Sequence, residues 1–95
     1  MQYMTEALEI IVSGRVQFVM YRDYATRKAR ALGLVGAVQN LPSGTVRVRV
    51  EGTQPALSQY LEKLQKGSIL SRVDSVDVFP GTVTGTYRNF GIVYG

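Results

Sequence analysis

The chain contains no histidine and no cysteine. The first absence removes the commonest general base and the commonest transition-metal ligand together. The second removes disulfides and thiol chemistry, and it fits a cytoplasmic setting. A His-based triad, a thiol nucleophile and a conventional zinc site are therefore excluded. No apolar run approaches the roughly 20 residues that a membrane-crossing helix needs. Residues 1–6 show no basic stretch leading into an apolar one, so no secretory signal is expected. Carboxylates are also sparse: Glu6, Glu9, Asp23, Glu51, Glu62, Asp74 and Asp77 are scattered without the spacing of a metal loop.

Positive charge is what remains. Eleven Lys and Arg residues leave a net charge of +4 on 95 residues, 45% of them hydrophobic. That balance favours anionic ligands, phosphates and nucleic acids alike. The length suits one domain around a single two-layer core, spanning residues 1–95, with residues 1–6 expected as a loose tail.

Periodicity divides the chain into six main elements. Ala7 to Ser13 is rich in isoleucine and valine and reads as a strand. From Arg22 to Leu32, the positions Tyr21, Ala25, Lys28/Ala29 and Leu32 share a helical face, and Gly33 closes the run. Residues 37–40 and 46–51 read as strands across the hairpin loop Leu41-Pro42-Ser43-Gly44. In the second of these strands, Val46, Val48 and Val50 alternate with Arg47, Arg49 and Glu51, a buried face backed by a charged outer one. Thr53 suits an N-cap and Pro55 the first turn of a second helix, with Leu57, Tyr60, Leu61 and Leu64 as its buried stripe and Gly67 as its end. Residues 72–79 form another strand that Pro80-Gly81 breaks, and residues 88–94 suit a short fifth strand. The order is βαββαβ plus one strand, which predicts an α+β ferredoxin-like sandwich: an antiparallel sheet with both helices on one face.

Two segments carry chemistry. The run Gly14-Arg15-Val16-Gln17-Phe18-Val19-Met20-Tyr21-Arg22 leaves a strand and enters a helix, so its backbone N–H groups can converge on an anion. Arg22 falls in the first helical turn, a poor place for a cation beside the positive end of the helix dipole unless an anion binds there. The run Gly36-Ala37-Val38-Gln39-Asn40 ends a strand with a carboxamide, which can both donate to and accept from water. Gly14 and Gly36 are expected to allow close backbone approach or a bulge. Tyr21, Tyr24 and Tyr60 are expected in the core, and Gln17 as a hydrogen bonder that shapes the loop.

Both segments resemble the signature motifs of the acylphosphatases, Gly-x-Val-Gln-Gly-Val-x-Phe-Arg and Gly-aromatic-Val-x-Asn, in order and spacing. The resemblance covers about Leu8 to Val93. It implies a hydrolase that splits the carboxyl-phosphate bond of small acyl phosphates, with Arg22 and Asn40 catalytic: Arg22 on the phosphoryl oxygens, Asn40 on the attacking water. Backbone N–H groups of Arg15, Val16, Gln17, Phe18, Val19, Met20 and Tyr21 would form the phosphate loop. Inorganic phosphate would act as product or inhibitor. No metal, other cofactor, membrane or nucleic-acid partner is expected, and the protein would act as a monomer.

The chain departs from the motifs at Phe18, where the family has glycine, and at Ala37, where it has an aromatic. Ala37 would thin the wall beside Asn40. If position 18 needs a positive φ, phenylalanine either keeps it, with the ring as an apolar wall for the acyl group, or reshapes the loop. A reshaped loop would give a weak or inactive anion binder. A nucleic-acid-binding sandwich is a further alternative, raised by Arg47 and Arg49 and opposed by the lack of aromatics on the central strands.

Overall fold

The computed structural model of the chain describes residues 4–94. Its elements are β1 (Thr5–Arg15), α1 (Tyr21–Ala31), β2 (Val35–Asn40), β3 (Val46–Thr53), α2 (Gln54–Lys66), β4 (Arg72–Pro80) and β5 (Phe90–Val93). The strands form one sheet in the order β4-β1-β3-β2-β5. Period-2 alternation sends Ile10, Val12, Val38, Val46, Val48 and Val50 to one face, where they join Tyr21, Ala25, Ala29, Leu57, Tyr60 and Leu64 of the helices in a continuous core. The expected ferredoxin-like sandwich is present.

Three expectations are corrected. The sheet is mixed, because β5 runs parallel to β2, from Gly36 opposite Phe90 to Gln39 opposite Val93. Strands β4 and β5 lie at opposite edges, so residues 81–89 must cross the sheet and reverse the chain before β5 pairs. Strand β1 begins at Thr5, within the expected tail, because β3 extends to Thr53 and supplies Thr5 and Glu6 with partners. The rest of that tail, residues 1–3, lies outside the described residues. Glu51, expected on a charged outer face with Arg47 and Arg49, is instead 4% exposed.

The crossing segment explains the buried carboxylate. The Thr84 N–H and Oγ1 donate to Glu51 Oε2 at 3.0 and 2.9 Å, and the Gly85 N–H donates to Oε1 at 3.2 Å. Burial alone would raise this carboxyl, but the donors from Thr84 and Gly85 outweigh it and hold it below its ordinary value. Glu51 thus pins the segment that delivers β5. At the end of that segment Phe90 is fully buried, edge-on to Tyr60 with ring centroids 6.0 Å apart.

The helices close as their sequences suggest. Gly33 takes φ 71 just beyond the cap Leu32, and its N–H donates to the Arg30 carbonyl while that of Leu34 donates to Ala29, a Schellman closure. Thr53 is the N-cap of α2, though its hydroxyl makes no capping bond. Three tyrosines then join the helices. The Tyr21 hydroxyl donates to Leu64 O at 2.8 Å, Tyr24 to Lys63 O at 2.7 Å, and Tyr60 back to Ala25 O at 3.0 Å. Leu64 carries one of the last four carbonyls of α2 and takes no backbone donor among the described residues, whereas the Lys63 carbonyl also accepts from the Gly67 N–H at 3.0 Å. Burial pushes the Tyr21 and Tyr60 phenols far up, so both remain donors at any working pH.

Tyr21→Phe should therefore leave the Leu64 carbonyl buried and unmet, lowering stability by about 1–3 kcal/mol. Urea unfolding with an unchanged slope and a lower midpoint would bear this out; an unchanged midpoint would not. Glu51 makes a second case, through pH. Its folded carboxyl binds a proton more weakly than the unfolded one, so its stabilisation is complete above the ordinary value of 4.5 and lost as pH falls through the lower folded value. The stability gap between the parent chain and Glu51→Gln should be widest near neutrality and close in acid. A gap that stays constant down to pH 3 would rule this out.

Candidate active site

Strands β1 and β2 are both antiparallel to β3, hence parallel to each other, and β5 is parallel to β2. Their C-terminal ends therefore lie at one edge of the sheet. Val12 and Asn40 both pair with Val46, which puts Asn40 two strand spacings, about 10 Å, from Val12. Asn40 has the parity of buried Val38, so it faces the helix layer. Ala37 has the opposite parity and lines a hollow on the outer face with Arg47 and Arg49, so it does not thin any wall beside Asn40. The two motif glycines behave as expected. Gly14, at φ 128, sits at a β-bulge where a Cβ would strike the Arg72 carbonyl oxygen, and Gly36, at φ 145, packs as tightly on that of Arg49.

The loop between β1 and α1 is anchored at both ends and once in the middle. Val16 and Tyr21 are each 1% exposed. Between them, Gln17 Nε2 donates to the carbonyls of Leu41 and Thr45, both at 2.8 Å. That side chain ties the loop to the β2–β3 hairpin at the residue following Asn40. Phe18 and Met20 both take left-handed conformations, with φ 60 and 61. Among the described residues, no backbone or side-chain acceptor meets the N–H groups of residues 16–20. Met20 is also the N-cap of α1 and offers no capping side chain, so the helix start is uncapped as well.

Arg22 lies in that first turn. Its neighbour Asp23 is engaged by Arg27 at 2.9 Å, and among the described residues Arg22 makes no ion pair. Its guanidinium carbon sits 5.0 Å from the ring centroid of Tyr94, a cation–π arrangement. Val16, Phe18, Met20, Tyr21, Arg22, Asp23, Ile92 and Tyr94 line a cleft of about 380 Å³. Phe18 is 97% exposed and packs against nothing. Asn40 stands apart from this lining, linked to the loop through Gln17, and its Oδ1 is buried without a hydrogen-bond partner. Arg15 ends β1 opposite Arg72 and is exposed, whereas Val19 leans on the core and borders a different groove. Asp23, Ile92 and Tyr94 line the cleft without belonging to either motif; the aromatic that follows the last apolar strand is the only sequence signal for the last two. No three acidic side chains among the described residues gather as a metal site would require.

A strand–loop–helix run of unmet N–H groups beside an arginine without an ion pair among the described residues thus lies at the edge of a ferredoxin-like α+β sheet. The acylphosphatase family model matches residues 8–92. An acylphosphatase of Nocardioides sp. is 43% identical over 89 residues, covering 94% of this chain and 89% of that one. Another, of Methylococcus capsulatus, is 41% identical over 86 residues, covering 90% and 94%. The crystal structure of acylphosphatase from Bacillus subtilis superposes with a TM-score of 0.89 at 34% identity, covering 96% of this chain and all of that one. The chain belongs to the acylphosphatase family.

Phe18 offers a direct check on the loop conformation. Its left-handed backbone costs about 1–2 kcal/mol that glycine would not incur, and its nearly complete exposure means that no packing is lost with the ring. Phe18→Gly should raise stability by about 1 kcal/mol in denaturant unfolding. A fall of similar size would mean that the ring holds the loop in place.

Proposed function

We propose that the chain hydrolyses small acyl phosphates to carboxylate and inorganic phosphate, with the N–H groups of residues 15–21 and Arg22 holding the phosphoryl group and Asn40 orienting the attacking water. The observation that carries this reading is Arg22, without an ion pair among the described residues, beside a helix start and a loop whose N–H groups meet no acceptor among those residues. A carboxylate leaving group has a conjugate acid of pKa near ~4, so departure needs no general acid. Phosphoryl transfer tends to a loose transition state, for which positioning and charge stabilisation matter more than proton removal. Donors fixed before the substrate arrives supply that stabilisation without rearrangement during the reaction. The unpartnered Asn40 Oδ1 supports the water role, because a buried acceptor of this kind is satisfied by one hydrogen-bonded water. The Phe18 ring stands free at the cleft mouth as a flat wall for the acyl group.

The weak-binder alternative loses its support where Phe18 keeps the positive φ that glycine would serve. The nucleic-acid alternative is weakened too. Arg47 donates to Gln39 at 2.8 Å, Arg49 faces Glu9 at 3.9 Å, and β1 and β3 carry no aromatic side chain.

Arg22→Ala should cut hydrolysis of benzoyl phosphate at least about tenfold and weaken phosphate as a competitive inhibitor, since losing a buried charge-assisted contact costs ~2 to 5 kcal/mol. Asn40→Ala should lose kcat while phosphate inhibition stays near the parent value. Turnover should persist in EDTA. Parent-like turnover in Arg22→Ala, or equal losses of kcat and phosphate affinity in Asn40→Ala, would contradict these roles.

A further inference from the structure

A sizeable hollow lies beside the cradle, between the two helices. It encloses about 510 Å³ between α1, the end of α2 and the turn at residues 67–71, a size typical of small-molecule sites. Its apolar surface includes Met20, Ile69 and Leu70, which are 68%, 100% and 62% exposed. Unlike apolar residues scattered singly over a surface, these three line one hollow. Its rim is cationic. Lys28, Lys63 and Lys66 border it, and none makes an ion pair among the described residues. The one acid on the rim, Asp23, is already held by Arg27.

Lys63 and Lys66 complement the negative end of the α2 dipole, which accounts for their place in its last turn. Lys28 likewise lies in the last turn of α1, and it leans over the Tyr24 ring at 5.6 Å. Helix dipoles do not account for the exposed aliphatics between the lysines, nor for the meeting of both cationic helix faces at one hollow. Cations from two helices around an apolar floor match a ligand with one anionic head and one apolar tail.

We propose that this interhelical groove binds an amphipathic carboxylate, its head group on Lys28, Lys63 and Lys66 and its alkyl chain along Met20, Ile69 and Leu70. The groove shares Met20 and Asp23 with the cleft beside Arg22, takes Val19 from the same loop, and includes neither Arg22 nor Asn40. It stands or falls independently of the roles of Arg22 and Asn40.

Decanoate, kept below its micelle-forming concentration, is the probe. Titration followed by amide NMR should saturate, with the shifts gathered on residues 19–28 and 63–70. Acetate, which lacks the tail, and decyltrimethylammonium, which reverses the head charge, should each bind at least about tenfold more weakly. A Lys63→Gln/Lys66→Gln double variant should weaken decanoate about tenfold, the loss of charge-assisted contacts. Leu70→Ser should weaken it as well; all three side chains are exposed, so folding is not at risk. Arg22→Ala should bind decanoate as the parent does. Loss of binding in Arg22→Ala would assign the carboxylate to the catalytic cradle and overturn the proposal. So would equal affinity for all three probes, or adsorption to phosphatidylglycerol vesicles without saturable decanoate binding.

Discussion

Two residues that lack glycine's conformational freedom, Phe18 and Met20, stand in left-handed conformations two positions apart, and the molecule must hold them there. Each such residue costs of order 1–3 kcal/mol and persists only where its surroundings leave no alternative. Three fixings supply that constraint. Val16 and Tyr21 sink into the core on either side of the strained stretch, and Gln17 grips two carbonyls of the neighbouring hairpin. The result is a run of N–H groups turned away from every protein acceptor among the described residues. In an ordinary loop, rotation of the backbone would soon satisfy such groups.

Tyr21 connects this loop to the rest of the fold. It is the first residue of α1, its ring is buried, and its hydroxyl meets a carbonyl at the end of α2. The loop is thereby fastened to both helices at once. The sheet supplies the second half of the geometry. A five-strand order in which β1, β2 and β5 end at the same edge brings Arg22, Asn40 and Tyr94 to that edge from elements far apart in sequence. The Glu51 clamp on Thr84 and Gly85 fixes the segment that makes the arrival of β5 possible.

Much of this was readable in the sequence, because it depends on local patterns. The alternation of Val46, Val48 and Val50, the helix stripe through Leu57, Tyr60 and Leu64, and the closures at Gly33 and Gly67 are set by neighbours within a few residues. The motif glycines were readable for a similar reason: only a missing Cβ allows the approach to the Arg72 and Arg49 carbonyls. What remained hidden depends on distant partners. Whether β5 runs parallel or antiparallel to β2 is decided by the path of residues 81–89, which have no periodicity of their own. The same path buries Glu51, whose alternation with Arg47 and Arg49 marks it as a solvated residue. Tyr94 carries no local signal, because its contact with Arg22 spans about three quarters of the chain.

If the strained loop is an anion cradle already formed before ligand arrives, titration of the 15N-labelled chain with inorganic phosphate, read amide by amide, will give saturable shifts gathered on the amides of residues 16–22, with the ladder between β1 and β3 unmoved. Shifts spread across the sheet, or a cradle that stays silent while phosphate binds elsewhere, would contradict it.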